Sequence, residues 1–503
     1  MKYSLLYANS EVESGSAEYS QGIRDAIYNL NIDRMVDSAC SSVSNAEYFL
    51  SVLTKPLTDV GEINYRREIL QDLIEAPAVL DGLISVFKGY DSLREESEEM
   101  AKGIFKYGAG RSADAMIDYA YERAYVSAHF MRNVVAYING IDTVLSELDP
   151  ISEGLRRLKE FCSRVTADGL IADAERSAEL FQNETAENYR FRVTLYRDAL
   201  LRLERAELTD IIQKKKERFN PLAALKPKKK EEIPSVVDIG TSAADNVDTA
   251  TAYALEELAD YYDALGNGLF ERLHGMGEEL RFFKVAYELH KRLTGAGLPI
   301  CYPTVLSAES NTLRAKSVCD ILLLNEGKDS GTIVPNDAVM VSGAEGILVR
   351  GDNNCGKTSF LRSVGTAQLF AQSGLFVCAE ELTASIRYGI FSHFSSAEKE
   401  FEDKNDAAGR FEGEVRDIAA LLHKLRPYSL VLLNETFQTT AYREGAEGMK
   451  LILDALPING SKYIFVTHML TVFKLFGDGA DNVVMLKTGE DGVKYKLVPF
   501  GER

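Results

Sequence analysis

Residues 351–358 restrict sharply the folds that this chain can adopt. They read Gly-Asp-Asn-Asn-Cys-Gly-Lys-Thr and fit the pattern G-x-x-x-x-G-K-[ST] at every fixed position. An apolar run at 346–349 precedes them, and a helical pattern begins near 359–361. A strand, a glycine-rich loop and a helix in this order bind phosphate, because the loop N–H groups and the helix N-terminus point at the anion. The run therefore predicts a nucleoside triphosphate site in an α/β domain.

The residue types in this loop predict separate roles. Lys357 would pair with β- and γ-phosphate oxygens, and the Thr358 hydroxyl would ligate Mg²⁺. The other loop positions that we expect at the phosphates of ATP are Gly351, Asn353, Gly356 and Ser359. The implied cofactors are therefore ATP and Mg²⁺.

Two further apolar runs end in polar residues. Asn434 and Glu435 follow the run 430–433. His468 comes shortly after the run 463–466. Because the carboxyl ends of parallel strands share an edge where ligands bind, we expect these side chains near the phosphates. Glu435 would orient or deprotonate the attacking water, and His468 would sense the γ-phosphate and position that water.

Asn434 stands where an aspartate that holds a Mg²⁺-bound water is expected. Its amide oxygen accepts hydrogen bonds but carries no charge, whereas Mg²⁺ is usually held through carboxylates. The predicted metal site therefore consists of Thr358 and Asn434, and we expect weakened Mg²⁺ binding and slow turnover.

Two long proline-free stretches, 151–220 and 235–298, precede the α/β part. Apolar residues in the first recur at helical spacing, as at Val193, Tyr196, Leu200 and Leu203. The pattern predicts two helical arms that run out and back. Gly154 and Gly169 argue against one unbroken rod.

Charge is distributed unevenly along the chain. It has 57 Lys and Arg against 76 Asp and Glu, a formal charge of −19, which argues against a protein coated in nucleic acid. Residues 214–230, between the arms, nevertheless hold eight basic residues and one acidic residue. This basic run is either a solvated loop or a contact with a phosphate backbone. The predicted DNA contacts are Lys214, Lys215, Lys216, Arg218, Lys228, Lys229 and Lys230.

The six cysteines show no zinc-ligand spacing, so we expect reduced thiols. No stretch of ~18 uncharged apolar residues is present, and we expect no membrane span. The N-terminus turns polar at once and matches neither a secretory signal nor a transit peptide. We therefore expect a cytoplasmic location.

Segments outside the phosphate loop resemble the MutS family of DNA-repair ATPases, which belong to the ABC ATPase class. Residues 57–66 are similar to the family's PL-x-D-x-x-EI-x-x-R stretch. Residues 371–381 resemble its AQ-x-G-x-[FY]-V-P-A run, with Cys378 in place of proline. Residues 333–337 resemble its Pro-Asn-Asp element, and 279–303 resemble the return of a helical lever into the core.

The resemblance implies a fold of class α plus α/β, in which a helical core and lever region is followed by a P-loop ABC-type ATPase domain with a mainly parallel sheet. The implied divisions are an N-terminal segment at 1–34, the core and lever at 35–205 and 241–305, a basic clamp-like tip at 206–240, and the ATPase domain at 306–503.

MutS-like proteins dimerise, and each ATP lies between one subunit's P-loop and a signature segment of the other. We therefore expect a homodimer, with Asn336 near the adenine. The signature here would be 409–414, and its trans contacts would be Gly409, Arg410, Phe411 and Glu414. In the family, levers carry the ATP state to clamps that close around DNA, which favours the basic run as a DNA contact.

Several departures from the family pattern limit the expected function. Because the core-like part begins near residue 35, we expect mismatch-reading and connector domains to be missing, and no Phe-x-Glu wedge occurs near residue 1 of the sequence. Gly409 replaces the signature serine, and residues 436–441 lack the family's glycine-rich run. Since the sequence ends at Arg503, we also expect the family's C-terminal helix-turn-helix to be missing. We expect a short member that does not read mismatches directly.

Three functional hypotheses follow. The first is a MutS-like ATPase that binds DNA through a nucleotide-gated dimeric clamp, in mismatch repair or a related repair or recombination process. The second is an ATP-binding conformational switch with negligible hydrolysis, because Asn434 carries no charge. The third, another ABC-class machine such as an SMC-like protein or a transporter subunit, is disfavoured. Both ATPase halves lie after residue 330, and an LSGGQ-type signature is missing from the sequence.

Overall fold

The computed structural model describes residues 2–9, 20–40, 42–104, 113–167, 169–181, 189–197, 203–213, 241–325, 327, 330–341, 343–395, 407–438, 442–477, 482–489 and 494–501. The predicted DNA contacts within 214–230 lie outside these ranges.

The helices are, in chain order, α1 (Ser20–Asn29), α2 (Ile32–Ala39), α3 (Val43–Leu53), α4 (Val60–Glu75), α5 (Pro77–Ile104), α6 (Ala113–Ser146), α7 (Glu153–Ala167), α8 (Leu170–Leu180), α9 (Thr241–Leu273), α10 (Met276–Gly295), α11 (Leu322–Asn325), α12 (Lys357–Gln372), α13 (Ala407–Lys424), α14 (Tyr442–Ala455) and α15 (Leu470–Phe476). The strands are β1 (Tyr189–Arg197), β2 (Leu203–Gln213), β3 (Thr304–Leu306), β4 (Leu313–Val318), β5 (Asn336–Met340), β6 (Gly346–Arg350), β7 (Glu381–Ser385), β8 (Ile390–Phe394), β9 (Leu430–Asn434), β10 (Lys462–Thr467), β11 (Val483–Thr488) and β12 (Leu497–Pro499).

The chain forms two compact units, which we call the helical unit and the sheet unit. The helical unit comprises Met1–Tyr3, Asp81–Asp149 and Arg157–Gly277. The sheet unit comprises Ser4–Leu80, Pro150–Arg156 and Glu278–Arg503. None of the helices in the described ranges is long and apolar enough to cross a membrane.

The helical unit is built on the pairing of α6 with α9. Its core contains the buried Tyr90, whose ring stacks on Phe270 with centroids 5.1 Å apart. The Tyr90 hydroxyl donates to the carbonyl oxygen of Phe270 at 3.1 Å, so this buried polar group is satisfied. Nearer the surface, Arg123 on α6 is paired with Asp260 and Asp263 on α9.

The first predicted arm is not helical throughout, and the prediction of helix is wrong at 189–197 and at 203–213. There β1 and β2 pair antiparallel, with Tyr189 opposite Gln213. The sequence of β1, Tyr-Arg-Phe-Arg-Val-Thr-Leu-Tyr-Arg, alternates apolar and polar residues, which is the two-residue period of a strand. The doubt about an unbroken rod is confirmed, because Gly169 adopts φ 72° between α7 and α8.

The sheet unit contains a six-stranded sheet in the order β12-β11-β6-β10-β9-β8. All neighbours in it are parallel except β11 and β12. The three apolar runs predicted as parallel strands are β6, β9 and β10, so these predictions are confirmed. Every residue of β9 and β10 is buried, which explains why their sequences are continuous apolar runs rather than alternating ones.

A second sheet of the same unit has the order β3-β7-β4-β5. Beside this sheet, two segments that resemble the MutS family, 57–66 and 371–381, are joined by hydrogen bonds. The Leu57 N–H donates to the Gln372 carbonyl oxygen at 2.8 Å, and the Gln372 amide donates back to the Leu57 carbonyl oxygen at 3.1 Å. The buried Arg66 guanidinium reaches the carbonyl oxygens of Leu6 and Ser373. These contacts fix the C-terminal end of α12, whose other end carries the phosphate loop.

Candidate functional site

The phosphate loop connects the end of β6 to the start of α12. Gly356 adopts φ 87°, a left-handed conformation that side chains disfavour, and a Cβ there would lie 3.2 Å from the Tyr495 ring. A Cβ at Gly351 would lie 2.6 Å from the Thr488 side chain. Both glycines of the motif are therefore required by geometry, and the predicted order of strand, loop and helix is confirmed.

Lys357 is buried at the start of α12. Its Nζ donates to the Asp352 carbonyl oxygen at 2.7 Å and lies 3.3 Å from Glu435 Oε1. A buried ammonium is costly unless it is paired, so the Glu435 carboxylate compensates Lys357 when no phosphate is present. The predicted phosphate-binding and catalytic residues thus meet in the fold.

Thr358 and Asn434, the two predicted metal ligands, are in direct contact. The Thr358 hydroxyl donates to Asn434 Oδ1 at 3.0 Å. Asn434 ends β9 and is buried, and its backbone carbonyl oxygen accepts the Ser395 N–H at 3.0 Å. The pair therefore places two uncharged oxygen atoms at the edge of the sheet.

Glu435 is held by two groups of the next strand connection. Its Oε2 lies 2.9 Å from His468 Nδ1 and accepts the His468 backbone N–H at 3.2 Å. Its own N–H donates to the Val466 carbonyl oxygen at 2.9 Å. Glu435 has φ 52°, a conformation that non-glycine residues rarely adopt and that occurs preferentially at functional sites. The side chain is thus aimed at the phosphate loop.

A cavity of about 250 Å³ adjoins the phosphate loop. It is lined by Val318, Asp320, Leu323, Thr332, Val334, Asn336, Gly356, Ser359, Phe360, Ser363 and Tyr495. Pockets for whole ligands are usually larger, roughly 300–1,000 Å³, so this one suits part of a nucleotide. Asn336 also braces the wall, because it donates to the Tyr495 carbonyl oxygen at 3.1 Å and accepts the Leu497 N–H at 2.8 Å.

The predicted signature residues lie on α13. Glu414 is buried; its Oε2 accepts the Phe437 N–H at 2.9 Å, and its Oε1 accepts the Ser395 hydroxyl. The rings of Phe411 and Phe437 are 5.4 Å apart. These contacts tie α13 to the segment after Glu435 within one chain. Nothing is described of the Arg410 side chain, and the trans contacts of this segment stay a prediction.

Sequence reasoning missed two further groups at this edge. The Nδ1 atom of His393 on β8 lies 2.9 Å from the Thr436 hydroxyl oxygen. Burial lowers the pKa of the His393 imidazole. Asp320 lines the cavity. The position of His393 in a strand made mostly of apolar residues was a sequence signal that could have identified it. Asp320 lies in an irregular segment far from the phosphate-loop motif, and the sequence around it carried no such signal.

The strand, glycine loop and helix, with an acid and a histidine at the same edge of a parallel sheet, define a P-loop ATPase domain. Residues 347–491 match the family model of MutS domain V. This part of the chain is therefore a MutS domain V, and the chain is similar to proteins of the MutS family.

Relatives cover different parts of the chain. An Endonuclease MutS2 of Lactobacillus helveticus is 32% identical over 149 residues, which are 30% of this chain and 18% of the relative. A DNA mismatch repair protein MutS of Synechococcus is 31% identical over 173 residues, 33% of this chain and 19% of the relative. A DNA mismatch repair protein MSH2 of Zea mays is 23% identical over 495 residues, 89% of this chain and 50% of the relative. The chain thus matches about a fifth of the length of the first two and half of the third.

Proposed function

We propose that this chain is an ATPase of the MutS type that couples ATP binding and hydrolysis to DNA binding. One observation carries the proposal. Lys357, Thr358, Asn434, Glu435 and His468, from three separate strand ends, converge through direct contacts beside the phosphate loop. No structural requirement of a sheet explains this set of polar groups, whereas phosphoryl transfer uses each of them.

The residues present fit ATP and Mg²⁺. The loop from Gly351 to Gly356 and the N-terminus of α12 supply N–H donors, Lys357 supplies charge, and the cavity beside Ser359 has space for a base. Thr358 and Asn434 would hold Mg²⁺ together with the phosphates. When bound, the ion would offset phosphate charge.

Binding of a triphosphate would rearrange the buried ion pair. Lys357 would leave Glu435 for the phosphate oxygens, because a more negative partner then lies in front of it. Glu435 would remain held by His468 at 2.9 Å and would accept a proton from the attacking water. The ion pair thus keeps both groups in place until ATP arrives.

Asn434 supports a second candidate, an ATP-dependent switch without useful hydrolysis. Its oxygen makes the hydrogen bond to Thr358 but brings no negative charge to the metal. In this version ATP binding alone drives dimerisation through α13, and the chain returns to its first state by releasing ATP.

The DNA-related part of the proposal depends on the family. Two of the relatives are named DNA mismatch repair proteins, and their names imply a role in repair. We propose that the basic run 214–230 contacts the phosphate backbone of DNA, that two copies of the chain form the functional dimer, and that the sequence-based domain divisions apply.

Single-turnover hydrolysis of ATP separates the two candidates. For the ATPase, the unmodified chain hydrolyses ATP with Mg²⁺, and Glu435→Gln, which removes the base but keeps the shape, abolishes the reaction. For the switch, ATP binds but the rate equals that of Glu435→Gln, and Asn434→Asp raises it by tenfold or more, about 1.4 kcal/mol of barrier. Failure of the unmodified chain to bind ATP contradicts both.

A binding panel of duplex, mismatched, branched and single-stranded DNA, with and without ATP, tests the DNA-related part. We expect ATP to change the affinity for at least one DNA form. The absence of DNA binding at low salt with ATP present would contradict the clamp.

A further inference from the structure

A tight turn follows β9 at residues 435–438. The Glu435 carbonyl oxygen accepts the Gln438 N–H at 3.3 Å, which closes a β-turn. Phe437, the third residue of this turn, has φ 64°, and Glu435, the first, has φ 52°. A positive φ usually belongs to glycine, because a Cβ makes it costly. The turn that carries Glu435 is therefore strained at two residues with side chains.

The surroundings of this turn hold it in place. A strained backbone persists only where its neighbours determine it. The Glu414 carboxylate on α13 accepts the Phe437 N–H at 2.9 Å. Thr436, between the two strained residues, is fully buried, and its hydroxyl oxygen lies 2.9 Å from Nδ1 of His393. The His393 contact is thus made at the residue directly after Glu435.

His393 reaches the turn from a strand that is fixed on two sides. It lies on β8, which pairs parallel with β9 and places His393 opposite Leu433. On the other side of β8, Asn29 of α1 donates to the Ser392 hydroxyl oxygen at 2.9 Å. Side chains on strands hold a geometry more precisely than side chains on loops. The imidazole therefore ties the strained turn to the rigid sheet.

We propose that His393 is a positioning residue for the hydrolysis of ATP, which holds the turn through Thr436 and so fixes the Glu435 carboxylate toward the attacking water. The inference rests on the proposed ATPase function. A displacement of about 1 Å at a reacting group can slow a reaction by roughly a hundredfold, so the aim of Glu435 matters. The phosphate contacts of Lys357 do not involve His393. Loss of the His393 contact should therefore slow the chemical step and leave ATP binding intact.

Single-turnover hydrolysis and equilibrium ATP binding, measured on the same proteins, test this assignment. Thr436→Val removes the hydroxyl at nearly constant volume, and His393→Leu removes the ring nitrogen. We expect each to lower the rate constant about tenfold, the effect of one lost hydrogen bond. ATP affinity should stay within about twofold. The double variant should be no slower than either single one, because both substitutions break the same contact.

Conservative variants and a matched control separate positioning from stability. Thr436→Ser keeps the hydroxyl and His393→Asn keeps a polar atom near the Nδ1 position, so both should retain most of the rate. Thr251→Val alters another buried threonine, on α9 in the helical unit. We expect it to leave the rate constant unchanged.

The possible results are distinct. Unmodified rate constants in Thr436→Val and His393→Leu would overturn the assignment, as would equal slowing in Thr436→Ser or a slower reaction explained by weaker ATP binding. If Thr436→Val does not fold, the comparison of His393→Leu with His393→Asn decides. If the unmodified chain hydrolyses ATP no faster than Glu435→Gln, the proposed ATPase function itself fails and this inference fails with it. That result differs from normal hydrolysis in every variant.

Discussion

At single positions, the buried pair of Lys357 and Glu435 is the contact with the largest consequence. The Lys357 Nζ and the Glu435 Oε1 lie 3.3 Å apart, and both side chains are shielded from water. Such a pair adds little stability compared with an apolar pair, but loss of one partner strands the other charge. The state without nucleotide is therefore sensitive to either residue.

We predict that Glu435→Gln lowers the free energy of unfolding of the nucleotide-free chain by about 3 kcal/mol, because Lys357 is left buried and unpaired. ATP should restore much of the loss, since its phosphates replace the carboxylate. Thermal unfolding with and without ATP measures both effects. The control is Asp454→Asn, which breaks the more exposed pair with Lys450 on α14 and should change stability by less than about 1 kcal/mol. Equal losses in the two variants would refute the prediction.

Lys462 makes the free energy of unfolding depend on pH. Burial, helped by the charge of Arg387, lowers its pKa from 10.5 to about 8. Between these values the unfolded chain binds more protons than the folded chain, so the free energy of unfolding rises with pH through this window. The contribution is about 3 kcal/mol at most.

Lys462→Met should remove this rise. Urea unfolding of both chains from pH 7.5 to 10.5 checks it through the difference between the two stability curves, because other groups titrating in this range cancel. The difference should change with pH, and parallel curves would contradict a lowered pKa of the Lys462 ammonium in the folded chain.

Among elements, α12 depends on its C-terminal anchor as well as on its phosphate-binding end. Gln372 is fully buried, accepts the Arg387 N–H at 2.9 Å and donates to the carbonyl oxygens of Leu57 and Arg387. Its side chain therefore joins α12 to two other segments of the sheet unit.

We predict that Gln372→Leu destabilises the chain by about 3 kcal/mol, since several buried backbone groups lose their partner at once. Urea unfolding measures the loss. Gln71→Leu on α4, at a half-buried position, is the matched control and should cost less than about 1 kcal/mol. A similar decrease in the free energy of unfolding in both variants would contradict a stabilising role of the hydrogen bonds made by Gln372.

The elements also show what sequence reasoning could reach. The strands β6, β9 and β10 were predictable because a strand buried on both faces is a continuous apolar run, and the phosphate loop was predictable because its chemistry is local. The pairing of β1 with β2 was missed because the spacing of Val193 and Tyr196 was interpreted as helical, although apolar and polar residues alternate along β1. The signature pattern pointed to Glu414, but its contacts with Ser395 and Phe437 depend on segments that the fold brings together, which no local pattern encodes.

For the whole molecule, the formal charge of −19 makes the basic run the expected place of DNA contact. We predict that replacing Lys214–Lys216 and Lys228–Lys230 with alanine weakens binding to every DNA form. Each lost phosphate contact should reduce the slope of log affinity against log salt by about 0.9. Titrations at several salt concentrations measure the slope, and an unchanged slope would exclude the basic run from the interface.

The binding of a triphosphate at residues 351–358 supports every other proposal made for this chain. Calorimetric titration of the nucleotide-free protein with ATP and Mg²⁺, beside Lys357→Ala and the control Lys450→Ala, tests it. We predict one ATP per chain in the unmodified protein and in Lys450→Ala, and an affinity reduced about a hundredfold in Lys357→Ala, as expected for loss of charged hydrogen bonds to phosphate. Equal affinity in all three proteins, or no heat of binding in the unmodified one, would contradict the account.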